Sequence, residues 1–407
     1  MKYIYGGAQI GFGEIWAIIK SIIKSWRTHN WQTGEQARLF ENEAAKFLGV
    51  KHGILCNSGS SAGLLALSAL ELPKGSEVII SAVTFPTIFN IILQCGLVPV
   101  VVDAKIRTYN FDVKDVEKAI TSKTKAIIAV HALGNPVDMP ALMKLVKKYK
   151  QKIYVIEDNC DGWGSTIGSK KVGSFGDVSI TSFHAAHIVS MGVGGGVFTS
   201  NKDIAKNVRM YRDWGRQADI NKSENLKHKT LPKDYNPRFI YEKIGYNFQI
   251  LELQAAMGRV QLRKIEDTKR RRKENFDYLH EAVRQINKTT SRRQGQERPM
   301  LLVPPSSDEI YKALKVDVCW FSFPLTYTGN RGKLLKHLEK NGIETRPMFS
   351  GNITKHPAYK DTKFRISGKL TEADYILKHS FWITLHPRYT PKDLEFVVKV
   401  FNDFFND

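Results

Sequence analysis

Residues 153–158 have the sequence Ile153-Tyr154-Val155-Ile156-Glu157-Asp158, a short apolar run that ends in two carboxylates. An apolar run of this length is typical of a strand that is buried on both faces of a parallel sheet. Similar Val- and Ile-rich runs recur through the first half of the chain, and longer segments with helical patterns lie between them. This alternation predicts a doubly wound α/β fold.

The same patterns place the other elements along the chain. Strands are predicted at residues 53–56, 78–81, 98–102, 126–130, 153–157, 177–181 and 196–199, and helices at 61–70, 86–95, 112–120 and 138–149. A polar, lysine-rich segment at 216–240 predicts a long loop. Beyond it come a helical pattern at 251–283, a weakly patterned polar stretch at 287–298, strands near 316–324 and 343–349, and a helix at 391–405. We therefore predict a large domain over residues 1–250 and a smaller α+β domain over residues 251–407.

A strongly apolar helix is predicted near the N-terminus. Its large apolar residues lie mostly on one helical face, namely Ile15, Trp16, Ile18, Ile19, Ile22, Ile23 and Trp26. Such a face either packs on protein or lies on a membrane surface. We favour packing, on the body of the protein or on a partner subunit.

The composition is that of an ordinary soluble enzyme. The chain has 407 residues, of which 42% are hydrophobic, and it can bury a large core. Its apolar runs are shorter than the roughly 18 residues that span a bilayer, and no signal-peptide pattern is present. We therefore expect a cytoplasmic protein without membrane insertion. The four cysteines, Cys56, Cys95, Cys160 and Cys319, are widely spaced, which argues against a disulfide framework and a zinc site.

The net charge of +21 could attract nucleic acid, anionic lipid or an acidic metabolite. The densest basic cluster is Lys269-Arg270-Arg271-Arg272-Lys273, which continues a helical pattern. No recognised nucleic-acid-binding module surrounds it. We interpret the cluster as a solvated helix face and expect no nucleic-acid partner. The excess charge suits a nucleotide diphosphate but does not identify one.

Two segments of the predicted large domain are suited to binding a ligand. Asp158 ends a predicted central strand, and open α/β sheets bind ligands at the carboxyl ends of their strands. The alternative is that Asp158 caps a helix. The turn Asn57-Ser58-Gly59-Ser60-Ser61 precedes a predicted helix, where backbone N–H groups and hydroxyls bind phosphate well. A Ser/Gly turn alone is weak evidence for such a site.

A second informative stretch is Ser182-Phe183-His184-Ala185-Ala186-His187, followed by Gly192-Val193-Gly194-Gly195-Gly196. A lone histidine is most often structural, and His184 with His187 at i, i+3 could also form a metal pair. No carboxylate or further ligand at useful spacing supports a metal, so we discount that alternative. With an ordinary pKa of about 6.5, imidazole is a capable base at neutral pH.

The order and spacing of several motifs resemble those of the DegT/DnrJ/EryC1/StrS family of sugar aminotransferases, which use pyridoxal phosphate. The motifs are Trp31-Gln32-Thr33-Gly34, Asn57-Ser58-Gly59-Ser60-Ser61-Ala62, Thr84-Phe85, Glu157-Asp158-Asn159-Cys160-Asp161, Ile244-Gly245-Tyr246-Asn247, Trp320-Phe321 and Gly342-Ile343-Glu344-Thr345-Arg346-Pro347. That family has a lysine at the position of His187. The chain is therefore most similar to the nucleotide-sugar 3-dehydratase branch, in which histidine replaces the lysine.

The resemblance implies a fold-type-I pyridoxal-phosphate architecture, a homodimer with shared active sites, and roles for individual residues. His187 would be the catalytic acid and base. The implied cofactor-binding residues are Gly59, Ser60, Ser61, Phe85, Asp158, Asp161, Ser182 and Asn247. Asp158 would contact the pyridine nitrogen, Phe85 would stack on the ring, and Asn247 would come from the neighbouring subunit. The implied substrate-binding residues are Trp31, Gly34, Arg346, Phe349 and Asn352. Without the resemblance, Phe85 would be interpreted as a core side chain and Arg346 as a surface arginine.

The resemblance also implies a reaction. Histidine cannot form the covalent link that lysine forms with this cofactor, so the cofactor would be held without one, as pyridoxamine 5'-phosphate. Its amine would condense with a nucleotide-linked 4-keto-6-deoxyhexose, of which GDP-4-keto-6-deoxymannose is favoured. His187 would then remove a proton, and the 3-hydroxyl would leave. Hydrolysis would give a 3-deoxy-4-keto sugar and ammonia, and glutamate would regenerate pyridoxamine phosphate from pyridoxal 5'-phosphate.

Other dehydratases of this branch use an iron–sulfur cluster, which needs four cysteine thiolates. The stretch Arg212-Asp213-Trp214-Gly215-Arg216-Gln217 continues without closely spaced cysteines, which favours the glutamate route and no cluster.

The alternatives to this function are a CDP- or dTDP-sugar 3-dehydratase, a 4-keto sugar aminotransferase and a non-catalytic sugar-nucleotide-binding relative. Val193 stands where relatives usually have glutamate and Ala185 where proline is common. Both differences indicate that the substrate could differ from that of the best-known member.

Overall fold

The computed structural model describes residues 9–216, 230–232, 234–291, 299–304 and 309–406. Its strands are β1 (His52–Cys56), β2 (Glu77–Ser81), β3 (Val98–Val102), β4 (Thr124–Val130), β5 (Tyr154–Asp158), β6 (Thr166–Ile167), β7 (Lys170–Lys171), β8 (Val178–Ser182), β9 (Gly195–Thr199), β10 (Leu301–Leu302), β11 (Val316–Asp317), β12 (Ser322–Tyr327), β13 (Thr345–Pro347), β14 (Arg365–Ile366) and β15 (Ser380–Thr384). Its α-helices are α1 (Phe12–Thr28), α2 (Glu35–Leu48), α3 (Gly59–Ala69), α4 (Pro86–Gln94), α5 (Val113–Ala119), α6 (Met139–Val146), α7 (Lys202–Arg212), α8 (Glu252–Arg263), α9 (Ile265–Ser291), α10 (Glu309–Leu314), α11 (Arg331–Lys340), α12 (Thr371–His379) and α13 (Pro391–Asn406). Most of the predicted loop at 216–240 and the end of the polar stretch at 287–298 lie outside the described residues.

A large mixed sheet has the strand order β1-β9-β8-β5-β4-β2-β3-β14. The neighbours from β8 to β14 pair in parallel, whereas β9 runs antiparallel to both β1 and β8. Every strand predicted in the first half of the chain is present within a residue or two of its predicted bounds. The predicted α/β fold with a mostly parallel central sheet is therefore confirmed.

Alternate residues of the central strands face two separate layers of helices. Ile79, Val100 and Ile127 share a core cluster with residues of α5 and α6, whereas Val78 and Val101 share one with residues of α3 and α4. Because both faces of these strands are covered, neither face is polar. The parallel pairing also brings the carboxyl ends of β4, β5 and β8 to the same edge of the sheet.

The C-terminal part of the chain forms a second, antiparallel sheet of order β10-β12-β15-β13, packed against α9, α11 and α13. The predicted strand near 316–324 is in fact two strands, since β11 pairs with β6 and only β12 joins this sheet. The predicted helix at 251–283 is also two helices. Lys264, between α8 and α9, departs from helical geometry with φ −94° and ψ 0°.

The domain boundary at residue 250 stays a prediction. Two kinds of contact cross it. Strand β14 extends the large sheet beside β3, and Glu372 Oε2 accepts a hydrogen bond of 2.7 Å from the Ile106 N–H. Helix α8 also packs against α1 and α2. The C-terminal half of the chain therefore contributes to the large sheet and its helical cover.

Helix α1 packs on α8 through its polar side. Glu14 is fully buried, and its Oε1 accepts from Gln261 Nε2 at 2.7 Å and from Lys264 Nζ at 2.6 Å. Ser21 and Ser25 are buried on the same side. The apolar face therefore points away from the body, which does not cover it, and its packing on a partner subunit stays a prediction. No described helix combines the length and the apolar character needed to cross a membrane.

Candidate active site

A cavity of about 580 Å³ lies at the carboxyl ends of β4, β5 and β8. One side, which we call the sheet wall, includes Ser58, Gly59, Ser60, Phe85, Thr87, His131, Asp158, Asp161, Ser182, His184 and His187. The other side, which we call the far wall, includes Phe321, Arg346, Pro347, Phe349, Ser350, His356 and Trp382. The cavity thus occupies the position at which open α/β sheets bind ligands. Nine predicted site residues line it, namely Gly59, Ser60, Phe85, Asp158, Asp161, Ser182, His187, Arg346 and Phe349.

Glu157, at the end of β5, is fully buried and is held by four donors. Its oxygens accept from three backbone N–H groups at 2.6–2.7 Å, those of Gly173, Phe175 and Gly176. The fourth donor is His131 Nε2 at 3.1 Å. Because His131 Nδ1 accepts from the Val137 N–H at 3.2 Å, Nε2 carries the proton of this ring. The end of β5 is therefore fixed by hydrogen bonds within the protein.

Asp158, the next residue, lines the cavity with fewer partners. Its Oδ1 accepts from the Cys160 N–H at 3.1 Å, and the residue is 6% exposed. Burial raises the pKa of Asp158, because the ionised carboxylate loses its hydration, and the nearby Asp161 raises it further. A cationic group bound beside Asp158 would favour the ionised carboxylate. The site is thus suited to a ligand with a protonated nitrogen.

The N-terminus of α3 supplies donors at the sheet wall. The Ser58 side chain accepts from the Ser61 N–H at 3.1 Å, and the Ser58 carbonyl accepts from the Ala62 N–H at 2.9 Å. The N–H groups of Gly59 and Ser60 have no acceptor within the helix, as at any helix start. The helix dipole favours an anion at this position. Ser60 and the neighbouring Thr87 add hydroxyls that lie 2.8 Å apart.

The backbone packs so closely here that only glycine fits at two positions. A Cβ on Gly59 would lie 2.6 Å from Ser182 Cβ, and a Cβ on Gly195 would lie 2.1 Å from the Ser58 carbonyl oxygen. The glycines therefore let the N-terminus of α3 contact the ends of β8 and β9 directly. This contact places the Ser182 hydroxyl beside the donors of α3.

His187 lies in the loop between β8 and β9. Its Nδ1 is buried and lies 3.2 Å from Asp161 Oδ1. The two groups form an ion pair when the ring is protonated, but their geometry is not that of a hydrogen bond. The ring also lies 5.4 Å from the Phe321 ring, measured between centroids. Nε2 is therefore the nitrogen of His187 that remains to interact with a ligand.

His184 lies on the same loop, with its ring 6.2 Å from that of His187. Its Nδ1 accepts from the Ala186 N–H at 3.3 Å, so the neutral ring carries its proton on Nε2. Partial burial lowers the pKa of His184, and the charge of His187 lowers it further. The described residues include no group of three or more His, Cys, Asp or Glu side chains arranged for a metal ion.

Phe85 and Arg346 line the cavity from different parts of the chain. Phe85 precedes α4, and its side chain is 56% exposed. Arg346 lies on β13, is exposed and pairs with Glu344. The nearby Phe349 has a left-handed backbone with φ +47°, which is rare outside glycine. An aromatic ring and a guanidinium therefore flank the opening.

Five predicted site residues do not line the cavity of this chain, namely Trp31, Gly34, Ser61, Asn247 and Asn352. Ser61 is buried in the first turn of α3. Asn352 is fully buried, its Nδ2 donates to Asp374 Oδ1 at 2.7 Å, and its Oδ1 accepts from the Thr354 N–H at 3.1 Å. Both ends of the Asn352 amide are therefore engaged in hydrogen bonds within the protein.

Gly34 and Trp31 are engaged with the start of α8. Glu252 Oε1 accepts from the Gly34 N–H at 2.7 Å and so caps the N-terminus of α2, and the Trp31 carbonyl accepts from the Glu252 N–H at 3.0 Å. Asn247 is exposed, five residues before α8. Its place in the site of a neighbouring subunit, which the resemblance implies, stays a prediction.

The structure adds residues to which the sequence analysis gave no role. His131, Thr87, Phe321 and Trp382 line the cavity. The position of His131 directly after β4 is a signal that the sequence contains, because strand ends at this edge carry the site. Phe321 and Trp382 come from the C-terminal half; Phe321 belongs to one of the motifs that carry the resemblance, whereas no pattern in the sequence singles out Trp382.

Curated relatives match over most of their length. The chain is 36% identical to the lipopolysaccharide biosynthesis protein RfbH of Salmonella typhimurium, over 98% of this chain and 91% of the relative. It is 36% identical to dTDP-4-dehydro-2,6-dideoxy-D-glucose 3-dehydratase of Saccharopolyspora spinosa, over 91% of this chain and 80% of the relative. It is 30% identical to GDP-4-keto-6-deoxy-D-mannose 3-dehydratase of Yersinia pseudotuberculosis, over 87% of each.

A solved structure agrees with these relatives. It is GDP-4-keto-6-deoxymannose-3-dehydratase with a trapped PLP-glutamate geminal diamine, and it superimposes with a TM-score of 0.83 at 25% identity, over 98% of this chain and 99% of that chain. A family model also matches residues 15–402, nearly the whole chain. The chain belongs to the DegT/DnrJ/EryC1/StrS aminotransferase family.

Proposed function

We propose that the protein removes the C3 hydroxyl from a nucleotide-linked 4-keto-6-deoxyhexose, with pyridoxamine 5'-phosphate as the cofactor and glutamate as the amino donor. One observation carries the proposal. His187 lines the cavity, and no lysine does so among the described residues. Without a primary amine the site cannot hold pyridoxal phosphate covalently, yet imidazole can move a proton at neutral pH.

The residues around the cavity fit this cofactor. The N-terminus of α3 offers the N–H groups of Gly59 and Ser60 to a phosphate. The buried Asp158 suits a protonated pyridine nitrogen, and the exposed ring of Phe85 can stack on an aromatic ring. Because position 59 has no side chain, Ser182 packs directly against the backbone of Gly59. The N–H groups of Gly59 and Ser60 therefore lie beside the Ser182 hydroxyl at the cavity wall.

When bound, the cofactor supplies an amine that condenses with the 4-keto group and a ring that accepts electrons. The protein supplies the proton transfers. With Nδ1 of His187 buried beside Asp161, Nε2 takes a proton from the bound ligand. The Asp161 carboxylate stabilises the imidazolium that results. Nε2 can then return the proton to the departing 3-hydroxyl, which leaves as water.

The far wall fits the nucleotide part of the substrate. Arg346 is exposed at the opening, where a guanidinium can pair with a diphosphate. The similarity to GDP-4-keto-6-deoxy-D-mannose 3-dehydratase makes the GDP-linked sugar the first substrate to test. The 36% identity to the dTDP-linked enzyme favours a dTDP sugar as the second.

Three further parts of the proposal rest on the sequence. The four cysteines are not closely spaced, which supports regeneration by glutamate without an iron–sulfur cluster. The exposed Asn247 supports a homodimer in which it reaches the partner's cavity. A nucleotide-sugar substrate supports a cytoplasmic enzyme that makes 3-deoxy sugars for surface glycans.

The deciding experiment is an assay of products by mass. The purified protein is mixed with pyridoxal phosphate, glutamate and GDP-4-keto-6-deoxymannose, and in a parallel reaction with the corresponding dTDP sugar. The proposal predicts a product that lacks one hydroxyl, together with ammonia and 2-oxoglutarate. An amino sugar as the main product would show that the protein is an aminotransferase, and the proposal would be wrong.

A borohydride test examines the cofactor separately. Reduction of the protein with bound pyridoxal phosphate is followed by intact-mass measurement. We expect no cofactor mass on the protein, because His187 has no primary amine. A covalent adduct on any lysine that abolishes activity would contradict the assigned role of His187.

A further inference from the structure

The outer face of α1 carries a row of exposed apolar side chains, which we call the α1 stripe. Phe12, Ile15, Trp16, Ile19, Ile23 and Trp26 are each at least 40% exposed, and Phe12 reaches 83%. Their spacing of three or four residues places them on one side of the helix. A continuous apolar row of this size on a protein surface marks a site of interaction.

The helix is held with this side outward. Glu14 pairs with Lys264 of α8 and accepts from Gln261, and Ser21 and Ser25 are buried against the body. Turning the α1 stripe inward would break the Glu14 contacts and expose a buried network. The orientation is therefore a stable property of the fold.

The exposed charges on α1 itself are all basic. Lys20, Lys24 and Arg27 are exposed on α1, and Lys24 pairs with Glu35 of α2. The only acidic residue of the helix, Glu14, is the buried one. Since the whole chain carries a net charge of +21, this rim lies on a strongly cationic protein.

These charges discriminate between two occupants. A second copy that paired α1 with α1 about a twofold axis would set two basic helices side by side, and α1 has no exposed acidic residue to offset Lys20 and Arg27. An anionic bilayer offers an apolar layer for the stripe and phosphates for the basic rim. Tryptophan, present at Trp16 and Trp26, is favoured at the boundary between these two layers.

We propose that α1 docks the protein on the surface of an anionic lipid bilayer, with the α1 stripe in the outer acyl layer and the basic rim at the headgroups. The helix lies in the plane of the surface and does not cross it. Its polar side stays on α8, so the body of the enzyme is carried at the membrane. This proposal is independent of the reaction proposed for the cavity.

Vesicle flotation with the full chain tests the proposal. One set of vesicles is phosphatidylcholine alone, and the other contains about one part phosphatidylglycerol in four, enough for an anionic surface potential. We expect the protein to float with the anionic vesicles and to remain largely unbound with the neutral ones. Absence of flotation with both sets would overturn the proposal.

Two sets of variants locate the contact. We expect the double change Ile19→Glu with Ile23→Glu to reduce the bound fraction at least about tenfold, because charges replace side chains in the acyl layer. Ile366→Glu is the matched control, since Ile366 is 45% exposed on β14 at the opposite end of the large sheet.

Lys20→Glu with Arg27→Glu should lower binding to anionic vesicles by about tenfold or more. Lys336→Glu on α11 serves as its control. Equal loss with the control variants would contradict docking through α1.

The oligomeric state separates the bilayer from a protein partner. The mass of the lipid-free protein and of the Ile19→Glu, Ile23→Glu variant is measured by sedimentation. We expect the two masses to be equal. A smaller mass for the variant would show that a second copy covers the α1 stripe and would overturn the proposal. Circular dichroism confirms folding, and if the stripe variant fails to fold, the Lys20 and Arg27 variant still decides the result.

Discussion

The sheet wall and the far wall of the cavity are built in different ways. On the sheet wall, Asp158 and Ser182 end strands of the central sheet, and Glu157 fixes the end of β5 with four hydrogen bonds. On the far wall, Arg346 lies on β13, a three-residue strand at the edge of the smaller sheet, and its side chain is exposed. Asp158 and Ser182 on the sheet wall thus end paired strands of the central sheet, and His187 lies in the loop that follows β8, whereas Arg346 on the far wall lies on a short, exposed edge strand.

This difference separates two kinds of change. Substitutions on the sheet wall should affect the reaction or the cofactor, because groups that act in the transition state must be held in place. Substitutions on the far wall should affect substrate affinity, because an exposed arginine contributes binding that is the same in the ground and transition states. Four substitutions test this division.

The largest effect is expected for His187→Asn. The variant keeps a polar side chain but loses the group that moves the proton, so we expect product formation to fall by about 10² to 10⁴-fold. His29→Asn is the control, because His29 is exposed at the end of α1 and its left-handed backbone suits asparagine. If the His187 variant formed product at the rate of the unmodified protein, His187 would not be the catalytic acid and base.

The second effect is expected for Asp158→Asn. If Asp158 is the charged partner of the pyridine nitrogen, as proposed, its loss should weaken cofactor binding by about 30-fold or more. Fluorescence titration of the apoprotein with pyridoxamine phosphate measures it. A loss of activity with unchanged cofactor affinity would assign Asp158 to another task.

The same variant gives a test by pH without cofactor. Burial raises the pKa of Asp158, so its contribution to stability is complete below the ordinary pKa of aspartate and is lost as the pH rises through the raised value. Asparagine has no such loss. In thermal melts of the apoproteins, the unmodified protein should therefore lose stability relative to Asp158→Asn between acid and neutral pH. A difference that does not change with pH would show that Asp158 is not destabilised by burial.

A smaller effect, of a different kind, is expected on the far wall. Arg346→Ala removes the charge-assisted hydrogen bond that we propose to the diphosphate, worth about 1.5–3 kcal/mol, so KM should rise by about 10- to 150-fold. The value of kcat should change little. Arg270→Ala on α9 is the control, since Arg270 forms surface ion pairs away from the cavity. An equal fall in kcat and kcat/KM would place Arg346 in the chemistry and remove the distinction between the walls.

The smallest effect is expected for Ser60→Ala. The backbone N–H groups of α3 remain, and only one hydroxyl contact with the phosphate is lost, so cofactor affinity should fall about two- to tenfold. Ser68→Ala on the same helix, beside Cys95, should leave the affinity unchanged. A loss as large as that for Asp158→Asn would mean that the hydroxyl, more than the helix terminus, binds the anion.

The sheet wall could be predicted well from the sequence. Strands such as β5 are continuous apolar runs, and their parallel order follows from the helices between them. Asp158 was predicted from the end of a strand and the turn at Gly59 from the start of a helix, whereas the roles of Ser182 and His187 came from the resemblance to the family. The local pattern and the tertiary arrangement agree there.

The far wall and its surroundings could not be predicted to the same degree. Strands β10, β13 and β14 have two or three residues, too few to show a pattern. Asn352 donates its side-chain amide to Asp374, and the Gly34 N–H donates to Glu252. Neither hydrogen bond can be predicted from the residues that neighbour Asn352 or Gly34 in the sequence. The exposure of the apolar face of α1 could not be predicted either, because periodicity shows that a helix has an apolar face but not what that face contacts.

The neighbouring carboxylates at the end of β5 differ in how the protein itself balances their charge. The charge of Glu157 is balanced by four donors that belong to the protein, whereas Asp158 accepts one backbone hydrogen bond, from the Cys160 N–H, and lines the cavity. Aspartate at position 157 would be too short, and glutamate at position 158 too long, to keep the hydrogen bonds that the present side chains make. An engineer who seeks a new ligand for the cavity therefore has more freedom at the exposed Arg346 than at this buried dipeptide.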